Sequence, residues 1–102
     1  MASLDGLLPV LQPYASYLIS LFPSLRVTSV YRSPTEQLEL YRNRAKNPYP
    51  VAPPGRSYHE YRRAWDMVGP PADLAAAGRI WQSWGGRWGG AFRNVDPIHF
   101  EV

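Results

Sequence analysis

Proline sets the first limits on this chain. It occupies 11 of the 102 positions, and a helix accommodates it only in the first turn, because its ring removes a backbone donor and clashes with the turn before it. Leu7, Leu8, Leu11, Tyr14, Leu18, Ile19 and Phe22 recur at helical spacing and predict an amphipathic segment over residues 4–22. Pro9 and Pro13 divide it into a short first helix or a kink and a cleaner helix opening near Pro13, and Pro23 stops it. Its expected role is one wall of the core. Leu25–Tyr31 (LRVTSVY) is rich in β-branched residues and reads as a strand. A helix follows at once: Ser33 caps it, Pro34 suits its first turn and Glu36 completes a capping box. Leu38, Leu40 and Tyr41 carry it to about Ala45.

Residues 47–58 (NPYPVAPPGRSY) hold four prolines and one glycine. Too little chain lies on either side for two domains, so this is an ordered, proline-stiffened loop within a single domain spanning 1–102. Ala64–Val68 is short and apolar apart from Asp66, and reads as a central strand. Helix signals return from Pro71 or Ala72 to Trp84. Gly85, Gly86, Gly89 and Gly90 then punctuate a turn around Trp88, and the chain ends on a strand, His99–Val102. Trp65, Trp81 and Trp84 are assigned to the core.

Several chemistries are closed to this sequence. It contains no cysteine, which excludes disulfides, thiolate metal sites and cysteine nucleophiles. Any metal site must use histidine and carboxylate. The net charge of +3 and pI near 9.5 favour contact with polyanions, among them nucleic acids and bacterial cell walls. The arginines are scattered rather than gathered into a basic stripe, which argues against a nucleic-acid module. No run reaches the roughly 20 apolar residues of a membrane span, so membrane insertion is not expected. The first basic residue is Arg26, and Asp5, Pro9, Gln12 and Pro13 interrupt the early apolar stretch, so no signal peptide is expected. A substrate outside the membrane would then be reached after release of the protein, or by a domain of a longer secreted or virion protein.

The chain has only two histidines, each beside carboxylates. One lies in Ser57-Tyr58-His59-Glu60-Tyr61-Arg62-Arg63-Ala64-Trp65-Asp66, the other in Asp96-Pro97-Ile98-His99-Phe100-Glu101. Two imidazoles and a carboxylate are the ligand set of many catalytic zinc sites, with one position left for water. Fully extended, His59 and Asp66 would stand about 24 Å apart, so the chain must fold back between them for both to reach one ion. Alternation along the last strand puts Ile98, Phe100 and Val102 on the core face and turns His99 and Glu101 toward a cleft.

These residues resemble the D-alanyl-D-alanine metallopeptidase family, which includes VanY-type carboxypeptidases and phage endolysins that cut the L-alanyl-D-glutamate bond. Ser57, His59, Ala64, Asp66, Asp96 and His99 match its paired motifs in order. Tyr31-Arg32-Ser33 matches an arginine after its first strand, and Gly85–Trp88 a glycine–tryptophan element, so the resemblance spans about residues 25–102. It implies an α+β fold of the hedgehog/DD-peptidase kind: a small antiparallel sheet packed against two to three helices, with zinc in a cleft on the sheet face. It further implies His59, Asp66 and His99 as zinc ligands and Asp96 as general base. Arg32 would stabilise an oxyanion or hold a substrate carboxylate, Ser57 would bond substrate and Trp88 would line the cleft. The implied substrate is the peptidoglycan stem peptide, and the protein is expected to act as a monomer. One position departs: Arg62 stands where the family has glycine, and a positive φ there costs an arginine about 1 kcal/mol.

The residues leave alternatives open. Endopeptidase action of the endolysin type is favoured over D-alanyl-D-alanine carboxypeptidase action, because the short chain has no insert that would close one end of the cleft. A zinc-binding or cell-wall-binding module without turnover is a further alternative, and Asp96 argues against it. Arg32 has a structural alternative as partner of Glu36 or Glu39. Glu60 reads as a solvated neighbour, and Glu101 as either a support for His99 or a surface strand residue.

Overall fold

Two aromatic rings stacked across neighbouring strands organise the fold. The computed structural model describes residues 2–102. Its four-stranded antiparallel sheet has the order β1-β2-β4-β3, with β1 Arg26–Ser29, β2 Ala64–Val68, β3 Arg87–Trp88 and β4 His99–Glu101. Trp65 on β2 lies opposite Phe100 on β4, with centroids 5.3 Å apart and planes 14° from parallel. Both are wholly buried, as are Val27 and Met67 on the same sheet face. Helices α1 (Gln12–Ser20) and α3 (Pro71–Ser83) cover that face with Ala15, Leu18, Leu74, Ala77 and Trp81. Trp81 meets Trp65 edge-on at 4.8 Å and donates from Nε1 to the Glu101 carbonyl, tying α3 to β4. The result is an α+β fold with a small antiparallel sheet packed against helices, as expected.

The prolines act as expected in most places. Leu4–Gly6 forms a single 3-10 turn, Pro9 keeps the chain out of helix, and α1 begins with Pro13 in its first turn. Ser33 and Glu36 form the capping box of α2 (Pro34–Arg42), which ends three residues early in a 3-10 turn at Arg44–Lys46. Two expectations fail on exposure. Tyr14 and Tyr17 are more than half exposed, and Trp84, assigned to the core, lies at the surface against both. The helix face that enters the core is instead centred on Ala15 and Leu18, one position on from Tyr14 and one from Tyr17. The glycine-rich segment also contains more than a turn, because Arg87 and Trp88 pair with Glu101 and Phe100 as a sheet edge. Among the described residues no helix is long and apolar enough to cross a membrane.

Gly78 shows how tightly this edge is packed. A Cβ at Gly78, inside α3, would sit 2.1 Å from Trp88 Cδ2, so the missing side chain is what lets the indole lie on the helix. Replacing a helical glycine by alanine ordinarily stabilises by about 1 kcal/mol. Here Gly78→Ala is expected to destabilise by about 1–3 kcal/mol through overpacking, read as a lower urea midpoint. A more stable variant would contradict this packing.

Candidate active site

The sheet register brings the two ends of the site together. Asp66 lies directly opposite His99 across β2 and β4, on the face away from Trp65 and Phe100. His59 arrives from the 3-10 helix Tyr58–Tyr61, which folds back just before β2. Arg62 makes that reversal. It has φ 60° and ψ 32°, the left-handed conformation that favours glycine, at a strain of about 1 kcal/mol. Its guanidinium lies 4.0 Å from the Tyr31 ring centroid and Nη1 reaches the Gly6 carbonyl. A contact of this kind contributes about 0.5–1 kcal/mol and so offsets much of the strain. A reversal that favours glycine is thus made here with an arginine.

His59, Asp66 and His99 each offer a ligand atom, and these atoms lie within 4.8 Å of one another, close enough to hold one metal ion. Hydrogen bonds select which atoms those are. His59 Nδ1 is 2.6 Å from the Val30 carbonyl, which only accepts, so Nδ1 carries a proton and Nε2 faces Asp66 Oδ1 at 3.2 Å. His99 is held the other way round: Nε2 donates to Glu101 Oε1 at 2.6 Å, leaving Nδ1 3.1 Å from the same Oδ1. Glu101 is buried and its second oxygen pairs with Arg87 Nη1 at 3.2 Å, so it supports His99 rather than lying free on a strand surface.

Arg32 occupies the remaining oxygen of Asp66, with Nη2 2.8 Å from Oδ2. Nε donates to Ser29 Oγ, and Nη1 reaches Gln37 Oε1 at 3.3 Å. Its partner is therefore Asp66, and neither Glu36 nor Glu39. Gln37, which the sequence pattern did not single out, is 1% exposed and also donates to the Ala52 carbonyl, fastening the proline-rich loop to this cluster. Ser57 is buried at the start of the 3-10 helix, where Oγ accepts from the His59 N–H at 3.3 Å. Glu60 is not merely solvated, since it closes a capping box on Ser57 and also accepts from Gly55 N–H. The spacing Ser57-x-x-Glu60 carried that signal.

Asp96 lines the same cleft, of about 510 Å³, on a loop fixed by Asp96 N–H to Gly89 carbonyl and His99 N–H to Asp96 carbonyl bonds. Its Oδ1 is buried without a partner. Trp88 does not line the cleft. It packs against Gly78, and its Nε1 donates to the Pro97 carbonyl at 2.8 Å, so it braces the Asp96 loop from behind.

The charges in this cluster shift one another. Burial opposes ionisation of Asp66, but hydrogen bonds and charge from His59 and His99 outweigh it and hold the carboxyl well below the usual range. Burial likewise disfavours a charged His99, yet the bonds to Asp66 and Glu101 prevail and push it up to about 9. Asp96 moves opposite to Asp66, raised to about 6 by burial and then by the charge of Asp66, against the pull of His99.

No protein-family model and no curated protein sequence matches the chain. Among solved structures, the crystal structure of the Serratia marcescens L-Ala D-Glu endopeptidase ChiX is similar over 97% of this chain and 82% of its own, with a TM-score of 0.72 and 23% identity. The two proteins share a fold.

Two measurements follow from this geometry. A cation bound at His99 Nδ1 must displace the proton held there up to a pH of about 9. Metal affinity is therefore expected to rise about tenfold per pH unit from 7 to 9 and then level off, while one proton is released on binding, measurable by calorimetry in buffers of different ionisation enthalpy. Affinity that stays flat over that range would contradict the assignment. Glu101→Gln removes the carboxylate behind His99 and is expected to weaken metal binding by about 10- to 100-fold, with thermal stability of the metal-free protein as the control.

Proposed function

We propose that this protein is a zinc-dependent peptidase that hydrolyses peptidoglycan stem peptides, with the L-alanyl-D-glutamate bond as the favoured target. The observation that carries the reading is Asp96. A metal site alone needs His59, Asp66 and His99; the unpartnered buried oxygen of Asp96 in the same cleft adds a proton acceptor beside it. The fold shared with an L-Ala D-Glu endopeptidase supports that choice of bond over the carboxypeptidase alternative.

Two imidazole nitrogens and one carboxylate oxygen fit zinc with an open position. Bound there, zinc supplies Lewis acidity that activates water at neutral pH and polarises a carbonyl. The chain's own groups do the rest. Asp96, with its pKa raised to about 6, is ionised at neutral pH and basic enough to take a proton from the attacking water at Oδ1 and return it to the leaving amine. His59 and His99 are held in fixed tautomers by the Val30 carbonyl and Glu101. Arg32 keeps Asp66 oriented through Oδ2, and in this arrangement it is a positioning residue.

Asp96→Asn is expected to retain one zinc per chain and to lose peptide release from purified peptidoglycan by about 10²- to 10⁴-fold. Mass spectrometry of the digest identifies the bond cut. Wild-type protein with full zinc that releases no peptide would leave only the non-catalytic zinc or wall-binding reading. Retained activity in Asp96→Asn would remove Asp96 as the base.

A further inference from the structure

Three arginines line the cleft, Arg32, Arg56 and Arg87, against three acidic residues, Asp66, Asp96 and Glu101. A divalent cation at His59, Asp66 and His99 would leave this lining with a positive excess, complementary to an anionic ligand. Two of the arginines already have an anion: Arg32 is bound to Asp66 and Arg87 to Glu101. The guanidinium of Arg56 has no hydrogen-bond or ion-pair partner among the described residues. It is the charge left for a ligand.

The backbone under Arg56 is built to hold it at the rim. Pro53-Pro54-Gly55-Arg56 forms a turn closed by Arg56 N–H to the Pro53 carbonyl, with Gly55 at φ +87° in the position where only glycine is unstrained. Glu60 accepts from Gly55 N–H on one side of Arg56 and from Ser57 N–H on the other. The Tyr61 hydroxyl donates to the Gly55 carbonyl at 2.6 Å. An exposed side chain on a turn clamped from both flanks loses little backbone freedom when it binds.

We propose that Arg56 is the carboxylate receptor of this cleft, selecting peptides with a free carboxylate on the residue beside the scissile bond over the same peptides amidated there. The proposal rests on the peptidase reading above and names the substrate feature read at that site. Two oxygens of a carboxylate match the planar fork of arginine, whereas a carboxamide offers one acceptor and brings donors that repel it.

The test compares two synthetic peptides, L-Ala-γ-D-Glu-L-Lys and its counterpart with the D-Glu α-carboxylate converted to the amide. Affinities are measured by calorimetry on zinc-loaded Asp96→Asn protein, so that binding is read without turnover. The expected preference for the free carboxylate is about fivefold or more at low salt and falls as salt rises. Adding Arg56→Gln brings the two affinities together, while adding Arg79→Gln, the same charge change on the exposed face of α3 outside the cleft lining, preserves the preference. Equal affinities in the parent, no binding of either peptide, or a preference that survives Arg56→Gln overturns the proposal; so does its loss in both variants, which would assign it to net charge. Turnover is assayed separately with Asp96 intact. Failure to cleave either peptide strikes the peptidase reading and leaves the binding comparison to decide the role of Arg56.

Discussion

The stack of Trp65 on Phe100 is the contact on which the site depends. Side chains alternate along a strand, so seating these two rings in the core turns Asp66 and His99 outward together, opposite one another. A slip of β4 by one residue against β2 would turn His99 and Glu101 into the apolar layer and the Phe100 ring into the cleft, breaking the stack on Trp65. The hydrophobic term that fixes the register is thus the same one that brings together two of the three residues able to hold a metal ion. Trp81 reinforces it by reaching from α3 to the backbone of Glu101, the residue whose side chain holds His99.

On the outward face, electrostatics takes over from packing. Asp66 is a buried carboxylate, which would be costly alone, but it is met by His59 and His99 on one oxygen and by Arg32 on the other. Each partner is in turn tied to the fold, through the Val30 carbonyl, Glu101, and the Ser29 and Gln37 side chains. This arrangement is satisfied by protons as it stands, and a cation would replace the proton on His99 with little rearrangement of the side chains around it. Asp96 stands apart from the exchange. Its oxygen is buried without a partner, which suits a group that must gain and lose a proton.

Much of this was legible in the residues because it was local or periodic. The capping box at Ser33 and Glu36, the strand at Ala64–Val68, the proline breaks and the alternation of His99, Phe100 and Glu101 are all short-range patterns, and the structure reproduces them. The ligand trio is longer in range, yet with only two histidines and a carboxylate stranded in an apolar strand few pairings were available. What escaped were contacts without a local signature. Arg32 passes over Glu36 and Glu39 for Asp66, 34 residues away, and Gln37 is buried to satisfy Arg32 and the Ala52 carbonyl. A two-residue strand at Arg87–Trp88 is too short to show a period. Tyr14 was placed inward by its helical spacing and Trp84 by its bulk, whereas the two rings meet each other at the surface.

The central claim is that one zinc ion is held by His59 Nε2, Asp66 Oδ1 and His99 Nδ1. Anomalous diffraction at the zinc edge from crystals of the zinc-loaded protein tests it most directly. The account predicts a single strong peak at about 2.0–2.2 Å from each of those three atoms, with His99 Nε2 still bonded to Glu101. A zinc-loaded crystal with no peak there, or a peak ligated through His99 Nε2 or through Glu101, would contradict it.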